Sequence, residues 1–139
     1  MDSVKKKTVF LKEVVDKLDL KGVEVLHARA EELGRVDGRR QAYDLAVSRA
    51  VAELRILAEY CVPLVKTGGS FIAYKGPAAQ EECKNAANAL KVLGCSETEI
   101  INLKVPYSDK THNLIISKKH KKTPEIYPRQ GGKPRKLPL

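Results

Sequence analysis

The chain of 139 residues lacks any apolar run approaching about 18 residues and any signal-peptide pattern. These absences argue against membrane insertion and against secretion. Its three cysteines, Cys61, Cys83 and Cys95, are widely spaced and form no CxxC pair. An odd number of isolated thiols is typical of a reducing compartment rather than of a zinc site or a disulfide framework. We therefore expect a cytoplasmic protein whose cysteines are buried and structural.

The common catalytic and metal-binding signatures are also missing. His27, His112 and His120 have no spacing that would hold a metal ion, so no metal site is expected. There is no P-loop, no Gly-x-Ser-x-Gly motif and no cysteine with a plausible histidine partner. Hydrolase and kinase functions therefore have no support in the sequence.

The most informative absence lies at the start of the chain. Residues 1–3 lead directly into a basic amphipathic helix, Lys5 to Leu18, with no strand and no glycine-rich loop before it. The remainder alternates strand and helix like the second half of a nucleotide-binding α/β domain. An acid just before such a helix is where these folds hold a ribose, which makes Asp2 a candidate. The loop that normally cradles a phosphate or a methionine is missing.

Positive charge is concentrated at the other end. The net charge is +9, and residues 118–139 hold six Lys, two Arg and one Glu, which leaves the body nearly neutral. Such a basic tail suits a polyanion such as RNA or DNA through phosphate contacts, and the alternative is a solvated, solubilising tail. Four prolines between Lys121 and Leu139 predict an extended segment without helix, pinned to the body by Tyr127 and Leu137.

Apolar periodicity and turn residues predict one α/β domain with a mostly parallel sheet and one antiparallel element. The length is sufficient for a single core. The predicted elements are a helix over 4–18 ended by Gly22, a strand Val23–His27, a helical turn Arg29–Leu33, a loop 34–41, a buried strand Tyr43–Val47, a helix Glu53–Val65, a turn 67–69, a strand Ser70–Tyr74, a helix Ala78–Leu93 ended by Gly94, and strands Glu97–Val105 and Asn113–Ser117 joined by a polar loop.

Ligands of open α/β sheets bind at the carboxyl ends of the strands, so the residues after each strand were compared. The three strand ends carry Ala30-Glu31, Ser48-Arg49-Ala50 and Lys75-Gly76, and we expect them to converge on one cleft. A carboxylate there can accept hydrogen bonds from an adenine amine or a hydroxyl. The arginine suits a carboxylate and the lysine suits a phosphate.

Each of these three side chains also has a purely structural interpretation. Glu31 can simply decorate a helical turn. Arg49 can pair with Asp44 or Glu53, and Lys75 can be a solvated strand end. Spacing alone leaves both interpretations open.

A series of short motifs resembles the RsmG family, the bacterial 16S ribosomal RNA guanine-N7 methyltransferases also called glucose-inhibited division protein B. The resemblance runs over essentially the whole chain. The motifs are Asp2-Ser3, Lys5-Lys6-Lys7 with Phe10-Leu11, Arg29-Ala30-Glu31-Glu32, Tyr43-Asp44, Ser48-Arg49-Ala50-Val51-Ala52, Pro63-Leu64, Gly68-Gly69, Tyr74-Lys75-Gly76, Thr123-Pro124, Tyr127-Pro128-Arg129 and Gly132-Lys133-Pro134.

The resemblance implies a class I, Rossmann-like methyltransferase fold that binds S-adenosylmethionine and methylates N7 of a guanine in 16S rRNA of the small ribosomal subunit. By motif, the cofactor residues are Ala30 and Glu31 beside the adenine, Asp2 at the ribose and Arg49. The resemblance also implies RNA contacts by a group of basic residues, namely Lys75, Arg129, Lys133 and Arg135. No catalytic side chain is implied.

The family carries a helical region, the first strand, the glycine-rich loop and the second strand before the position of Asp2. We therefore expect a partial sheet lacking its first two strands, open in the middle, with unpartnered hydrophobic edges. Two segments are predicted, a methyltransferase part over 1–119 and a basic tail over 120–139. The chain alone is expected to transfer methyl groups weakly or not at all, with a separate N-terminal segment as a candidate partner. The alternative is a non-catalytic RNA-binding remnant.

Overall fold

A computed structural model describes residues 1–49, 51–107 and 111–139. Ala50 of the predicted Ser-Arg-Ala strand end and residues 108–110 of the predicted polar loop lie outside these residues. The helices are α1 (Lys5–Lys17), α2 (Ala30–Leu33), α3 (Leu54–Cys61), α4 (Ala79–Leu93) and α5 (Lys133–Lys136), with a 3₁₀ turn at Val62–Leu64. The strands are β1 (Tyr43–Arg49), β2 (Val65–Lys75), β3 (Cys95–Lys104) and β4 (Thr111–Lys119).

The four strands form one sheet in the order β1-β2-β4-β3. β1 runs parallel to β2, and β4 is antiparallel to both of its neighbours. Three strands therefore point one way and one points the other, which confirms the predicted mixed sheet. No helix in the described part of the chain is long and apolar enough to cross a membrane.

Helices α3 and α4 cover one face of this sheet and form the core with it. Alternate residues of the strands, among them Phe71, Ala73 and Ile115, point into this layer and are fully buried. The helices contribute Leu57 and Leu93, also buried. α4 is followed by Gly94, as predicted. The left-handed backbone of Gly94, at φ 103°, is a common way to end a helix.

The glycine pair Gly68-Gly69, predicted as a turn, lies inside β2 and marks an irregularity in its pairing with β1. Tyr43 pairs with Val65, but Leu45 pairs with Ser70, so the register shifts between them. A Cβ on Gly69 would lie 2.4 Å from the carbonyl oxygen of Asp44. The close approach of the two backbones at this irregularity therefore requires glycine.

Three sequence predictions are wrong in the first half of the chain. Segment 23–27 forms no strand, because its pairing with the described residues is limited to one parallel bridge between His27 and Asp2. α1 ends at Lys17, before Gly22, because the chain already turns at Asp19 with φ 48°. β1 is not buried, because no described strand pairs with its outer edge.

The residues 34–41, predicted as a simple loop, form a clamp for the C-terminal segment. The Arg40 guanidinium donates hydrogen bonds to the carbonyl oxygens of Thr123, Pro124 and Tyr127 over 2.7–3.1 Å. Arg35 donates in the same way to the carbonyl oxygens of Ile126 and Pro128. Two arginines thus hold the segment through its backbone, which a sequence pattern cannot reveal.

The prediction that prolines exclude helix from the tail is wrong for one turn. α5 places Pro134 in its first turn, where the missing N–H costs no internal hydrogen bond. Pro128 and Pro134 are both fully buried. The tail therefore packs on the body, with prolines supplying apolar surface. Of the two predicted pins, Tyr127 packs against the core, whereas Leu137 is exposed.

Candidate cofactor-binding site

Asp2 lies beside the segment that leads into α2. Its N–H donates to the carbonyl oxygen of Leu26 at 3.1 Å, and its carbonyl oxygen accepts from the Ala28 N–H at 3.2 Å. The Asp2 carboxylate accepts a hydrogen bond from the Val4 N–H at 2.8 Å and lies 3.7 Å from the Lys7 ammonium. These two contacts, the backbone bond first, lower the pKa of Asp2, so it is an anion at neutral pH.

Glu31 is a buried acid in the short helix α2. Its nearest ionic partner is Arg29, whose Nη1 lies 3.8 Å from Glu31 Oε1. Burial, followed by the negative charge of Glu31, raises the pKa of the Tyr60 hydroxyl, which interacts with the Arg135 side chain. Glu31 of α2 and Arg135 of α5 therefore both lie near Tyr60 of α3.

Arg49 lies at the carboxyl end of β1, opposite Tyr74 of β2. Its side chain is exposed. Neither predicted structural partner takes it, because Asp44 pairs with Lys66 and Glu53 pairs with Arg55. Within the described ranges no salt bridge involves Arg49. The guanidinium is thus available at the edge of the sheet where ligands of this fold class bind.

Lys75 lies one residue beyond Tyr74, on the other face of the sheet from Arg49. Only 9% of its side chain is exposed. The ammonium donates to the carbonyl oxygen of Ala52 at 2.6 Å and lies 2.6 Å from Glu82 Oε2. The structure thus brings the ends of β1 and β2 together, as expected, but places their two cations on opposite faces of the sheet.

The predicted RNA residues of the tail fall into two groups. Arg129 forms a bidentate ion pair with Glu59, with Nε 2.9 Å from Oε1 and Nη2 2.6 Å from Oε2. Its guanidinium also lies over the ring of Tyr127 in a cation–π contact. Lys133 and Arg135 are exposed on α5. Unlike Arg129, neither of these two residues forms a salt bridge within the described part of the chain, although the Arg135 side chain also interacts with the Tyr60 hydroxyl.

A cavity of about 520 Å³ lies away from these residues. It is lined by the end of α4 and the start of β3, including Cys83, Leu90, Cys95 and His120. None of the predicted site residues contributes to it. Burial raises the pKa of Cys95 to about 11, so its thiol is protonated and unreactive at neutral pH.

Comparison with known proteins decides the family. The family described as "GidB: rRNA small subunit methyltransferase G" matches residues 1–123. The chain belongs to this family. The resemblance read from the motifs is thereby confirmed, including its extent along the chain.

Curated relatives named "Ribosomal RNA small subunit methyltransferase G" match all 139 residues. The protein of Acetivibrio thermocellus is 49% identical, and the match covers 57% of its length. Those of Alkaliphilus metalliredigens and Bacillus cereus are 48% and 45% identical, with 58% of their lengths covered. The chain therefore spans a little over half the length of the family members it matches.

A solved structure supports the fold. The precorrin-6y C5,15-methyltransferase of Geobacter metallireducens superimposes with a TM-score of 0.57 over 84% of this chain and 63% of its own, at 15% identity. At that identity the likeness concerns architecture alone. Together with the mixed sheet, it confirms the Rossmann-like methyltransferase fold class.

Two buried charged residues, Glu59 and Lys119, have little signal in the sequence. Glu59 lies in the mostly apolar helix α3, and an acidic residue at such a position was the only sign in the sequence that it has a buried partner. Lys119 was counted as tail charge, yet it is fully buried and donates to the carbonyl oxygens of Val62 and Val65 at 3.0 and 2.7 Å. Nothing in the local sequence distinguishes Lys119 from the exposed Lys118 beside it.

Proposed function

We propose that this chain contributes residues for the adenine, the ribose and the carboxylate of S-adenosylmethionine to a cofactor site and serves methylation of N7 of a guanine in 16S rRNA. The observation that carries the proposal is the family match over residues 1–123. The second support is the juxtaposition of Asp2 with the segment entering α2. The chain acts in the cytoplasm on the small-subunit RNA, in line with its family.

The charges and side-chain types of the candidate residues suit the cofactor. An ionised Asp2 beside the Leu26–Ala28 segment can accept hydrogen bonds from two ribose hydroxyls. Ala30 offers a small side chain and Glu31 a carboxylate that can accept from an adenine amine. Arg49, with no salt bridge among the described residues, supplies a planar cation that suits the cofactor's carboxylate.

The chemistry demands little from side chains. When bound, S-adenosylmethionine supplies a methyl group carried on a sulfonium. Guanine N7 offers a lone pair and carries no proton, so no general base is required. Residues of this chain then act by holding both partners in line and by placing charge around them. The absence of a catalytic base among the candidates is consistent with this reaction.

The RNA partner is assigned to exposed cations. Lys133, Arg135 and Lys136 form a basic turn on α5, and Lys121 and Lys122 precede the clamped segment. The division into a body over 1–119 and an RNA-binding tail over 120–139 is part of this proposal. Arg129 and Lys75 are left out of this RNA surface, because their charges are already paired with Glu59 and Glu82.

Titration calorimetry with S-adenosylmethionine tests the cofactor half. We expect Asp2→Asn and Glu31→Gln to weaken binding by about tenfold or more each, because a charge-assisted hydrogen bond is lost. Asp16→Asn and Glu13→Gln on α1 are matched controls and should change nothing. Equal affinities for Asp2→Asn and Asp16→Asn would remove Asp2 from the site.

A second candidate function is a non-catalytic RNA-binding module. The observation that favours it is the docked basic tail, whose clamp by Arg35 and Arg40 is independent of the cofactor residues. Transfer of labelled methyl groups from S-adenosylmethionine to small-subunit RNA distinguishes the two. Transfer supports the enzyme. RNA binding without cofactor binding or transfer supports the module.

A further inference from the structure

Lys75 and Glu82 form a partly buried polar network where β2 ends and α3 and α4 begin. Glu82 lies in the first turn of α4, and its Oε2 accepts a hydrogen bond from the Leu54 N–H at 2.7 Å. The same oxygen lies 2.6 Å from the Lys75 ammonium, which also donates to the Ala52 carbonyl oxygen at 2.6 Å. The network thus joins three separate segments through two side chains.

Lys75 and Glu82 each form a hydrogen bond with the backbone between β1 and the start of α3. Ala52 lies in this β1–α3 connection, and Leu54 is the first residue of α3. Neither contact depends on the identity of the side chain at position 52 or 54, because the network uses the backbone. Arg49 lies at the start of the connection, on the opposite face of the sheet from Lys75. The anchored Ala52 is only three positions beyond Arg49 in the chain, so an anchor at Ala52 restricts where Arg49 can lie.

The burial of the pair argues against a solvent-facing role for either charge. The Lys75 side chain is 9% exposed and that of Glu82 is 21% exposed. A buried pair with both partners satisfied is costly to break from one side, because the remaining charge is left without a counter-ion. A lysine free to bind phosphate would instead extend into solvent.

We propose that Lys75 and Glu82 are positioning residues that fix the β1–α3 connection and, through it, the Arg49 guanidinium. The inference rests on the proposed function for the role of Arg49 in cofactor binding, but the fixing of the connection does not. The pair acts at a distance from the ligand: neither residue touches the cofactor or the RNA.

The first readout is hydrogen exchange of the Leu54 amide in ¹⁵N-labelled chain. We expect about tenfold faster exchange in Lys75→Met and in Glu82→Ala, because the local anchor is lost. Lys75→Arg keeps the charge and the donors and should exchange more slowly than Lys75→Met. Lys84→Met and Glu81→Gln change exposed neighbours on α4 and serve as controls. Unchanged Leu54 exchange in Lys75→Met overturns the proposal.

The double variant Lys75→Met/Glu82→Ala guards against a single variant that does not fold. It removes both charges and leaves none buried alone. The proposal expects the same fast Leu54 exchange in the double variant as in the singles, because either change already opens the anchor. Slow, wild-type exchange in a folded double variant overturns it.

The second readout separates positioning from direct contact. Positioning predicts that Lys75→Met and Glu82→Ala weaken S-adenosylmethionine binding alike, by about tenfold, with no change in the salt dependence of RNA binding. A direct phosphate contact predicts that only Lys75→Met weakens RNA binding, with the log–log salt slope falling by about 0.7–0.9; that result overturns the proposal. A wild-type chain that binds neither ligand refutes the proposed function, while Leu54 exchange still decides the anchor.

Discussion

The two faces of the sheet differ in almost every respect. One face is covered by α3 and α4, and its residues, such as Phe71 and Ile115, are fully buried. The other face carries apolar side chains that are half in solvent, with Leu45 47% and Val47 56% exposed. α1 shares this exposure, because Phe10 is 63% exposed and Thr8 is its one buried residue.

The difference separates stability from the candidate site. The covered face holds the core, the clamp and the buried ion pairs, so most of the folding free energy is expected there. The open face carries Arg49, and the exposed N-terminal segment carries Asp2. Exposed edges and faces of this size are uncommon in a stable domain, and here they carry Asp2 and Arg49, two of the residues proposed to bind the cofactor.

The largest expected effect tests where the core lies. Phe71→Ala should lower the free energy of unfolding by about 3–5 kcal/mol, because it empties a fully buried volume. Phe10→Ala is the matched control on the exposed side and should cost less than about 0.5 kcal/mol. Urea unfolding followed by circular dichroism measures both. Similar losses of stability from the two changes would mean that α1 packs against other parts of the protein and that the two sides do not differ.

The next effect tests the docking of the tail. Arg129→Ala leaves the Glu59 carboxylate, 1% exposed, without its ionic partner. We expect a loss of about 3 kcal/mol in the free energy of unfolding, as for other broken buried pairs. Arg55→Ala breaks a half-exposed pair with Glu53 and should cost only about 0–1 kcal/mol. Equal costs from the two changes would show that the tail is loosely held.

The smallest effect is a pH dependence from Lys119. Burial lowers its pKa from 10.5 to about 8, so between these values the folded state binds fewer protons than the unfolded state. Stability from this group therefore rises with pH above about 8. Cys95 acts oppositely above pH 9, since its pKa is raised from 9.0 to about 11.

Comparison with Lys119→Met isolates the lysine, because Cys95 is present in both proteins. The difference in the urea midpoint between wild type and Lys119→Met should change in favour of the wild type from pH 8 to 9, the window that the two pKa shifts define. A difference that is flat across this window would place the Lys119 ammonium in water.

Elements with strong local signals were predictable from the sequence. α4 with Gly94, the alternation of strand and helix, and the mixed sheet all follow from periodicity and turn residues. The wrong predictions concern segments whose structure depends on neighbours that are distant in the sequence. Segment 23–27 has the pattern of a strand, but a strand forms only beside another strand, and among the described residues the segment pairs with Asp2 alone. β1 reads as buried, yet burial depends on what covers it.

The candidate residues divide in the same way. Short motifs were enough to identify the family and to single out Asp2, Ala30, Glu31 and Arg49, because residue type and order are properties of the chain itself. Their surroundings are not. Whether a cation meets solvent or a carboxylate depends on contacts between distant segments, as Lys75 with Glu82 and Arg129 with Glu59 demonstrate.

The sequence by itself thus determined the family, the strand–helix order and the excess of charge at the C-terminal end. Only the tertiary structure decided which charged side chains, at that end and elsewhere in the chain, are available to a ligand. It buried Lys119, paired Lys75 and Arg129, and left Arg49, Lys133 and Arg135 exposed. The physical reason is that desolvation and ion pairing act through space, so neighbours along the chain, such as Lys118 and Lys119, can have opposite fates.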